Sequence, residues 1–232
     1  LIINLAFIGD VVLSTPVARA LRQKWPEAII DMLVVPLTAP IAKGNPFLDH
    51  VIEYDKRGRH KKMGSLIGLV REIRAQRYDL AIATNHASRG AILAWASGIR
   101  YRVGYDAQHA GIFLTHVASA KRTEIRHEAE NYLDVLKPLG ISTEDTSLTF
   151  RVDPEDVASM WEKVTPVPEK PIVLICPIGS YPLKSWRFDG YAELIRRLAP
   201  VAACYLIGGR GEQRQLEEIN ASSGSLAGVL AG

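Results

Sequence analysis

The sequence predicts an α/β protein of the doubly wound, parallel-sheet kind. Three observations carry that expectation. Short apolar runs recur at 1–8, 28–35, 79–84, 171–176 and 201–207. They are nearly continuous in hydrophobicity, as befits parallel strands covered on both faces. Between them lie stretches with helical spacing: Leu66, Leu69, Val70 and Ile73, then Tyr191, Leu194, Ile195 and Leu198. The two kinds of segment alternate, which is the pattern of repeated βα units.

Each element has its own grounds. The first run, LIINLAFI at 1–8, stops at Gly9, and Asp10 stands where a strand is expected to hand over to a helix. Val17, Leu21 and Trp25 recur every fourth residue, and Pro26 ends that helix. Pro16 either opens the helix at its first position or kinks a longer one. AIIDMLVV at 28–35 makes a second strand, and VIEY at 51–54 reads as another. A Pro-rich, charged stretch at 148–170, with a short helical piece at 154–164, is the expected boundary. The expected organisation is a Rossmann-like domain at 1–150, a linker at 151–170, and the opening of a second Rossmann-like domain at 171–232. A further strand candidate lies at 226–231. The chain opens inside a strand-like run without an initiator Met and stops without a terminal helix. The second domain is therefore expected to be incomplete.

Composition bounds the function. The chain has 232 residues, 47% hydrophobic and 23% charged, and 28 basic against 25 acidic side chains leave a net charge of +3. So mild a balance argues against a dedicated nucleic-acid binder. Cys176 and Cys204 lie in apolar runs without motif spacing, and are expected to be buried thiols in a reducing compartment. No apolar stretch reaches the roughly 18 residues of a membrane span. Spacings for zinc and for an acyl-transfer serine are missing, as is a D-x-D diphosphate–metal motif.

Four stretches carry candidate chemistry. In open α/β sheets ligands bind beyond the carboxyl ends of the strands. Asp10 is expected at such an end, where its carboxylate is either a helix N-cap or a catalytic base. Gly9 permits a tight turn or close ligand approach. CPIGSYPLKSWRFDGYAEL at 176–194 offers small backbone at Gly179 and Ser180, a cation at Lys184 and a helix start near Asp189. That set suits a pyrophosphate, or is an ordinary strand–helix loop. IGGRGEQ at 207–213 is a weaker glycine-rich turn of the same kind. Lys56, Arg57, Arg59, His60, Lys61 and Lys62 crowd the segment after VIEY. They read as a solvated loop or as a grip for an anionic acceptor or membrane surface. Asn85, His86, Ser88 and Arg89 follow the strand at 79–84 and are caps or substrate contacts. Arg102 and Tyr105 flank a glycine expected in a surface turn. His127 reads as a helix cap.

In their order along the chain, GDVVLSTPVARAL (9–21), TNHASRGAILAWASGIRYRVGY (84–105), HEAENYLDVLKPLGI (127–141) and PIGSYPLKSWRFDGYAELIRRL (177–198) resemble glycosyltransferase family 9, the heptosyltransferases of lipopolysaccharide core assembly. The resemblance implies a GT-B fold, two Rossmann-like domains facing across a cleft. It implies an inverting transfer from ADP-heptose to the inner core, with neither cofactor nor metal. Asp10 matches the general base, and Lys184, with Ser180 and Gly179, the donor-phosphate site. Gly9, Arg57, Lys61, Asn85, His86, Ser88, Arg89 and Arg102 are the expected acceptor contacts. The family's later donor motif, an Asp, a Gly-Pro pair and a His, lies beyond the last residue. The implied partners are a nucleotide-sugar donor and a lipopolysaccharide-core acceptor, without nucleic acid. The implied location is cytoplasmic, peripheral at the inner face of the inner membrane. Two other readings stand beside this one: a GT-B enzyme using a different nucleotide sugar, and a non-catalytic module binding anionic glycolipid through residues 56–62.

Overall fold

The structure is a computed structural model describing residues 1–119, 125–164, 170–179 and 181–232. It divides into two compact units, Leu1–Val152 and Asp153–Gly232. The first holds six parallel strands: β1 (Ile2–Asn4), β2 (Asp31–Val34), β3 (His50–Glu53), β4 (Leu80–Ala83), β5 (Tyr101–Tyr105) and β6 (His116–Ala118). Their order is β3-β2-β1-β4-β5-β6. This is the doubly wound arrangement, with its switch point between β1 and β4. Register runs Ile2 opposite Met32 on one side and Ile82 on the other.

The helices of this unit are α1 (Ile8–Leu13), α2 (Thr15–Lys24), α3 (Ala39–Lys43), α4 (Met63–Ala75), α5 (Ser88–Ala96) and α6 (Glu128–Leu133). Alternation along each strand divides the core between the two sheet faces. Ile2, Met32, Val34, Ile82 and Val103 pack with Val17, Leu21 and Leu136 on one side. Ile3, Leu33 and Ala81 pack with Leu69, Ile73 and Leu93 on the other. Each large side chain so buried contributes about 1.5–3 kcal/mol.

The second unit has β7 (Ile172–Ile175), β8 (Ala203–Gly208) and β9 (Ala227–Ala231), with α7 (Pro154–Lys163), α8 (Phe188–Leu198) and α9 (Gln213–Ser223). Its parallel strands lie in the order β7-β8-β9. Ile175, Ile195, Cys204, Leu206, Leu216 and Ile219 form its core. Asp153 caps α7 by accepting from the Glu155 N–H at 2.9 Å, and Pro154 opens the helix where no N–H is needed.

Several sequence expectations need correction. The first strand ends at Asn4 instead of residue 8, because a loop and the start of α1 take up 5–8. Tyr101–Tyr105 is a strand, not a surface turn. Gly104 serves close packing there: a Cβ would meet the Ala83 Cβ at 3.2 Å and the Ala83 carbonyl at 3.3 Å. Strand β6 was not foreseen. Cys176 is exposed; only Cys204 is buried. On β7, Ile172 and Leu174 are exposed rather than covered.

The end of the first unit is strapped across its helices. Arg19 pairs with Asp145 at 2.7 Å, the Thr149 N–H donates to Thr15 Oγ1 at 3.0 Å, and the Arg151 N–H donates to the Gly44 carbonyl at 2.9 Å. A Cβ on residue 44 would lie 2.3 Å from the Arg151 carbonyl oxygen. Gly44→Ala should therefore lower stability by about 1–3 kcal/mol, read as a reduced denaturant midpoint; an unchanged midpoint would show that the strap is loose.

Candidate active site

The carboxyl end of β1 is shaped by a buried amide. Asn4 is fully buried. Its Oδ1 accepts the Ala6 N–H at 3.2 Å, and its Nδ2 donates to the Asp10 carbonyl at 3.1 Å and to Ser14 Oγ at 3.0 Å. The chain thus leaves the sheet, turns at Leu5–Phe7 and enters α1. Asp10 is neither at the strand end nor an N-cap: it is the third residue of α1, with Phe7 as the capping residue. Asp10 Oδ2 accepts the Phe7 N–H at 3.0 Å, and Oδ1 accepts from the Tyr132 hydroxyl at 2.6 Å. The first helical turn favours this negative charge. Asp10 remains half-buried, with Phe7, Ile8 and Gly9 exposed beside it. A Cβ at Gly9 would meet open space, so the backbone here is approachable. Burial first, then the hydrogen bond and charge of Asp10, push the Tyr132 phenol far above its usual range. Tyr132 therefore stays a donor.

Across the switch point, Asn85, His86, Ser88 and Arg89 follow β4, as expected. The His86 ring stacks on Tyr105 at 4.3 Å, and Tyr105 donates its hydroxyl to the Asn131 carbonyl at 2.6 Å. Consecutive residues of α6, Asn131 and Tyr132, thus hold both sides of the edge. Asn85 Oδ1 is shielded and has no hydrogen-bond partner among the described residues. Ser88 faces Gln108 Oε1 at 3.5 Å. Arg89 donates to the Tyr54 hydroxyl at 3.0 Å. Arg102 does not belong to this set. It lies near the start of β5, its guanidinium bonded to the carbonyls of Ile99, Arg100 and Phe113. Its role is to close a turn at the amino edge of the sheet.

The basic segment is more ordered than a solvated loop. Asp55 Oδ1 accepts the N–H groups of Arg57 and Gly58, and Oδ2 that of Arg59. These backbone donors, that of Arg59 foremost, hold the Asp55 carboxyl below its usual range. His60 is buried, and its Nδ1 accepts the Asp55 N–H at 3.0 Å. A Cβ at Gly58 would sit 2.2 Å from Asp55 Oδ2, so a side chain there would displace the Asp55 carboxylate from its backbone donors. Lys56, Arg57, Arg59, Lys61 and Lys62 point outward, exposed, and none forms an ion pair among the described residues.

In the second unit, the loop after β7 folds tightly. The Gly179 N–H donates to Ser185 Oγ at 2.8 Å, and a Cβ at 179 would lie 2.9 Å from Lys184 Cβ. Lys184 ends a short 3-10 turn, Pro182–Lys184. It is exposed and without an ion pair among the described residues. Ser180 lies outside those residues. The other glycine-rich turn holds its own anion: Glu212 Oε2 accepts the Gly209 N–H at 2.7 Å, so no phosphate is needed there. A cavity of about 980 Å³ opens at the opposite, amino edge of the first sheet, against Leu1, Trp25, Tyr78 and His116. It does not include Asp10. Its lining is mostly apolar, and the α/β rule places chemistry at the carboxyl edge.

The family model described as glycosyltransferase family 9 (heptosyltransferase) matches residues 66–232. The chain belongs to that family. Among curated relatives of this family 9 chain, lipopolysaccharide heptosyltransferase 3 of Escherichia coli K12 is 30% identical over 82% of the chain and 57% of its own length. Lipopolysaccharide heptosyltransferase 2 of the same strain is 23% identical over 85% and 59%. The chain therefore spans less than two thirds of these relatives. Two solved structures share the fold across the whole chain. The family 9 glycosyl transferase of Veillonella parvula DSM 2008 has a TM-score of 0.83 at 23% identity, with 68% of it covered. E. coli ADP-heptose lps heptosyltransferase II has 0.81 at 21%, with 72% covered. The two parallel α/β units are thus of the GT-B class expected from the sequence.

Sequence reasoning missed Asn4, Tyr54, Asp55 and Tyr132, which hold the candidate residues in place. The Asp55 turn is open to test. Asp55→Ala should speed tryptic cleavage at Arg57, Arg59, Lys61 or Lys62 severalfold while barely moving the unfolding midpoint; unchanged cleavage would mean the turn stands without its carboxylate.

Proposed function

We propose that this family 9 chain serves an inverting, metal-independent transfer of heptose from ADP-heptose to the inner core of lipopolysaccharide. The observation that carries the reading is Asp10: an accessible carboxylate at the switch point, oriented by one donor on each oxygen. Family membership and the heptosyltransferase names of its relatives support the sugar class.

The chemistry follows from charge. An acceptor hydroxyl attacks the anomeric carbon from the face opposite the leaving diphosphate, so the configuration inverts. As the new C–O bond forms, Asp10 accepts the hydroxyl proton, which requires an oxygen within roughly 3 Å of it. As the old bond breaks, ADP gains negative charge, which Lys184 and the backbone of its loop would offset without a metal. Neither step calls for a cofactor. Arg57 and Lys61, with the other outward cations of the basic loop, would grip phosphate and carboxylate groups of the acceptor. Asn85, His86, Ser88 and Arg89 would line its path. The acceptor is lipid-linked, so the reading implies work at the cytoplasmic face of the inner membrane. Met63 and Ile67, exposed beside the basic loop, support a peripheral contact there; co-sedimentation with anionic phospholipid vesicles checks it.

Asp10→Asn, assayed in the full natural chain, should reduce transfer at least about 100-fold while leaving the unfolding midpoint near wild type. Near-normal turnover would remove Asp10 from the chemistry. A non-catalytic glycolipid-binding module would instead show salt-sensitive glycolipid binding indifferent to Asp10→Asn and no turnover. Lys184→Ala should weaken donor use about tenfold or more and spare acceptor binding, as read from the separate KM values. A panel of ADP-, UDP- and GDP-sugars separates heptosyl transfer from use of another nucleotide sugar.

A further inference from the structure

Tyr132 reaches Asp10 across 122 residues of sequence. Its ring lies in the core beneath α1 and α2, with Val17, Leu21 and Leu136 in the same cluster, and only its hydroxyl emerges toward the carboxylate. That hydroxyl holds Asp10 Oδ1 at 2.6 Å while the Phe7 N–H holds Oδ2 at 3.0 Å. Two donors from different directions leave the carboxylate one orientation; turning it breaks both bonds. Each carboxylate oxygen has two lone-pair sites, so capacity remains for an incoming hydroxyl. The α6 helix has a second tie to the sheet: Tyr105 of β5 donates its hydroxyl to the Asn131 carbonyl.

We infer that Tyr132 is a positioning residue that aims the Asp10 carboxylate at the acceptor hydroxyl. The inference rests on the sugar-transfer reading, in which Asp10 is the base. Tyr132 keeps its own proton throughout: the acceptor hydroxyl proton passes to Asp10, the acceptor oxygen bonds to the anomeric carbon, and the diphosphate leaves with the electron pair of the broken bond. The role requires only that the phenol remain a donor, and its burial against a carboxylate ensures that.

The test is Tyr132→Phe in the full natural chain, with Asp10→Asn assayed alongside. Phenylalanine keeps the ring and removes only the hydroxyl. The expected result is a kcat lowered about 10- to 100-fold, with both KM values within about twofold of wild type and an unfolding midpoint near wild type. A kcat within about twofold of wild type overturns the inference. So does a fall in kcat accompanied by risen KM values and a lowered midpoint, which would make the hydroxyl a packing element. Loss of soluble protein on Tyr132→Phe counts against it for the same reason. A fully active Asp10→Asn removes the sugar-transfer reading itself; an inactive Asp10→Asn beside an unimpaired Tyr132→Phe removes only the role of Tyr132.

Discussion

The side-chain amide of Asn4 fastens the candidate active site to the sheet. A buried amide without partners costs several kcal/mol; this one makes three hydrogen bonds, and all three fall on the first crossover turn. The amide therefore stabilises one geometry of that turn and penalises the rest. It sets where α1 begins relative to β1 and holds Ser14, the residue shared by the end of α1 and the cap of α2. Since β1 is paired on both sides, by β2 and β4, the fastening point lies on an interior strand, six residues before Asp10.

From this point the site is assembled by topology. At the switch between β1 and β4 the following helices depart to opposite faces, the position where open α/β sheets place their ligand crevices. Asp10 lies on one side and the 85–89 segment on the other. The α6 helix ties them together through Tyr132 to Asp10 and through Asn131 to Tyr105, on which His86 stacks. Groups assigned to proton transfer are thus held by strands and helices, while cations assigned to substrate charge sit on loops. The division makes physical sense. Proton transfer fails when misaligned by about 1 Å, whereas charge attraction falls off gently with distance. Even so, the basic loop is folded around Asp55 and anchored by buried His60, so its cations are presented from a fixed base.

The alternation of strands and helices was legible because parallel strands must be apolar on both faces and helices must repeat near every fourth residue. That Gly179 and Lys184 follow a strand was legible from the apolar run at 171–176, whereas Asp10, expected at the end of the first strand, lies in the first turn of α1. The failures have particular causes. YRVGY hid a strand because Gly104 looks like a turn; only the nearness of Ala83 explains it. Arg102 read as a ligand contact because its charge was visible and its three carbonyl partners were not. Tyr132 sits among Ala129, Leu133, Val135 and Leu136 in an apolar helical pattern and reads as core. Its ring is core, but its hydroxyl is not, and a pattern scores the residue whole. Cys176 was expected inside because its neighbours are apolar, yet the exposed side of β7 continues through it.

The second unit offers a controlled comparison within one chain. Two glycine-containing turns follow two neighbouring parallel strands, β7 and β8, and both resemble phosphate loops in sequence. In the turn after β8, Glu212 occupies the position an anion would take, accepting the Gly209 N–H, and it would repel a phosphate. In the turn after β7, the Gly179 N–H is held by the neutral hydroxyl of Ser185, and Lys184 stands outward with no carboxylate against it among the described residues. Glycine content cannot separate the two turns, since it records only backbone permissiveness. The side chain facing each turn's glycine N–H does separate them: a carboxylate, Glu212, in the turn after β8 and a neutral hydroxyl, Ser185, in the turn after β7.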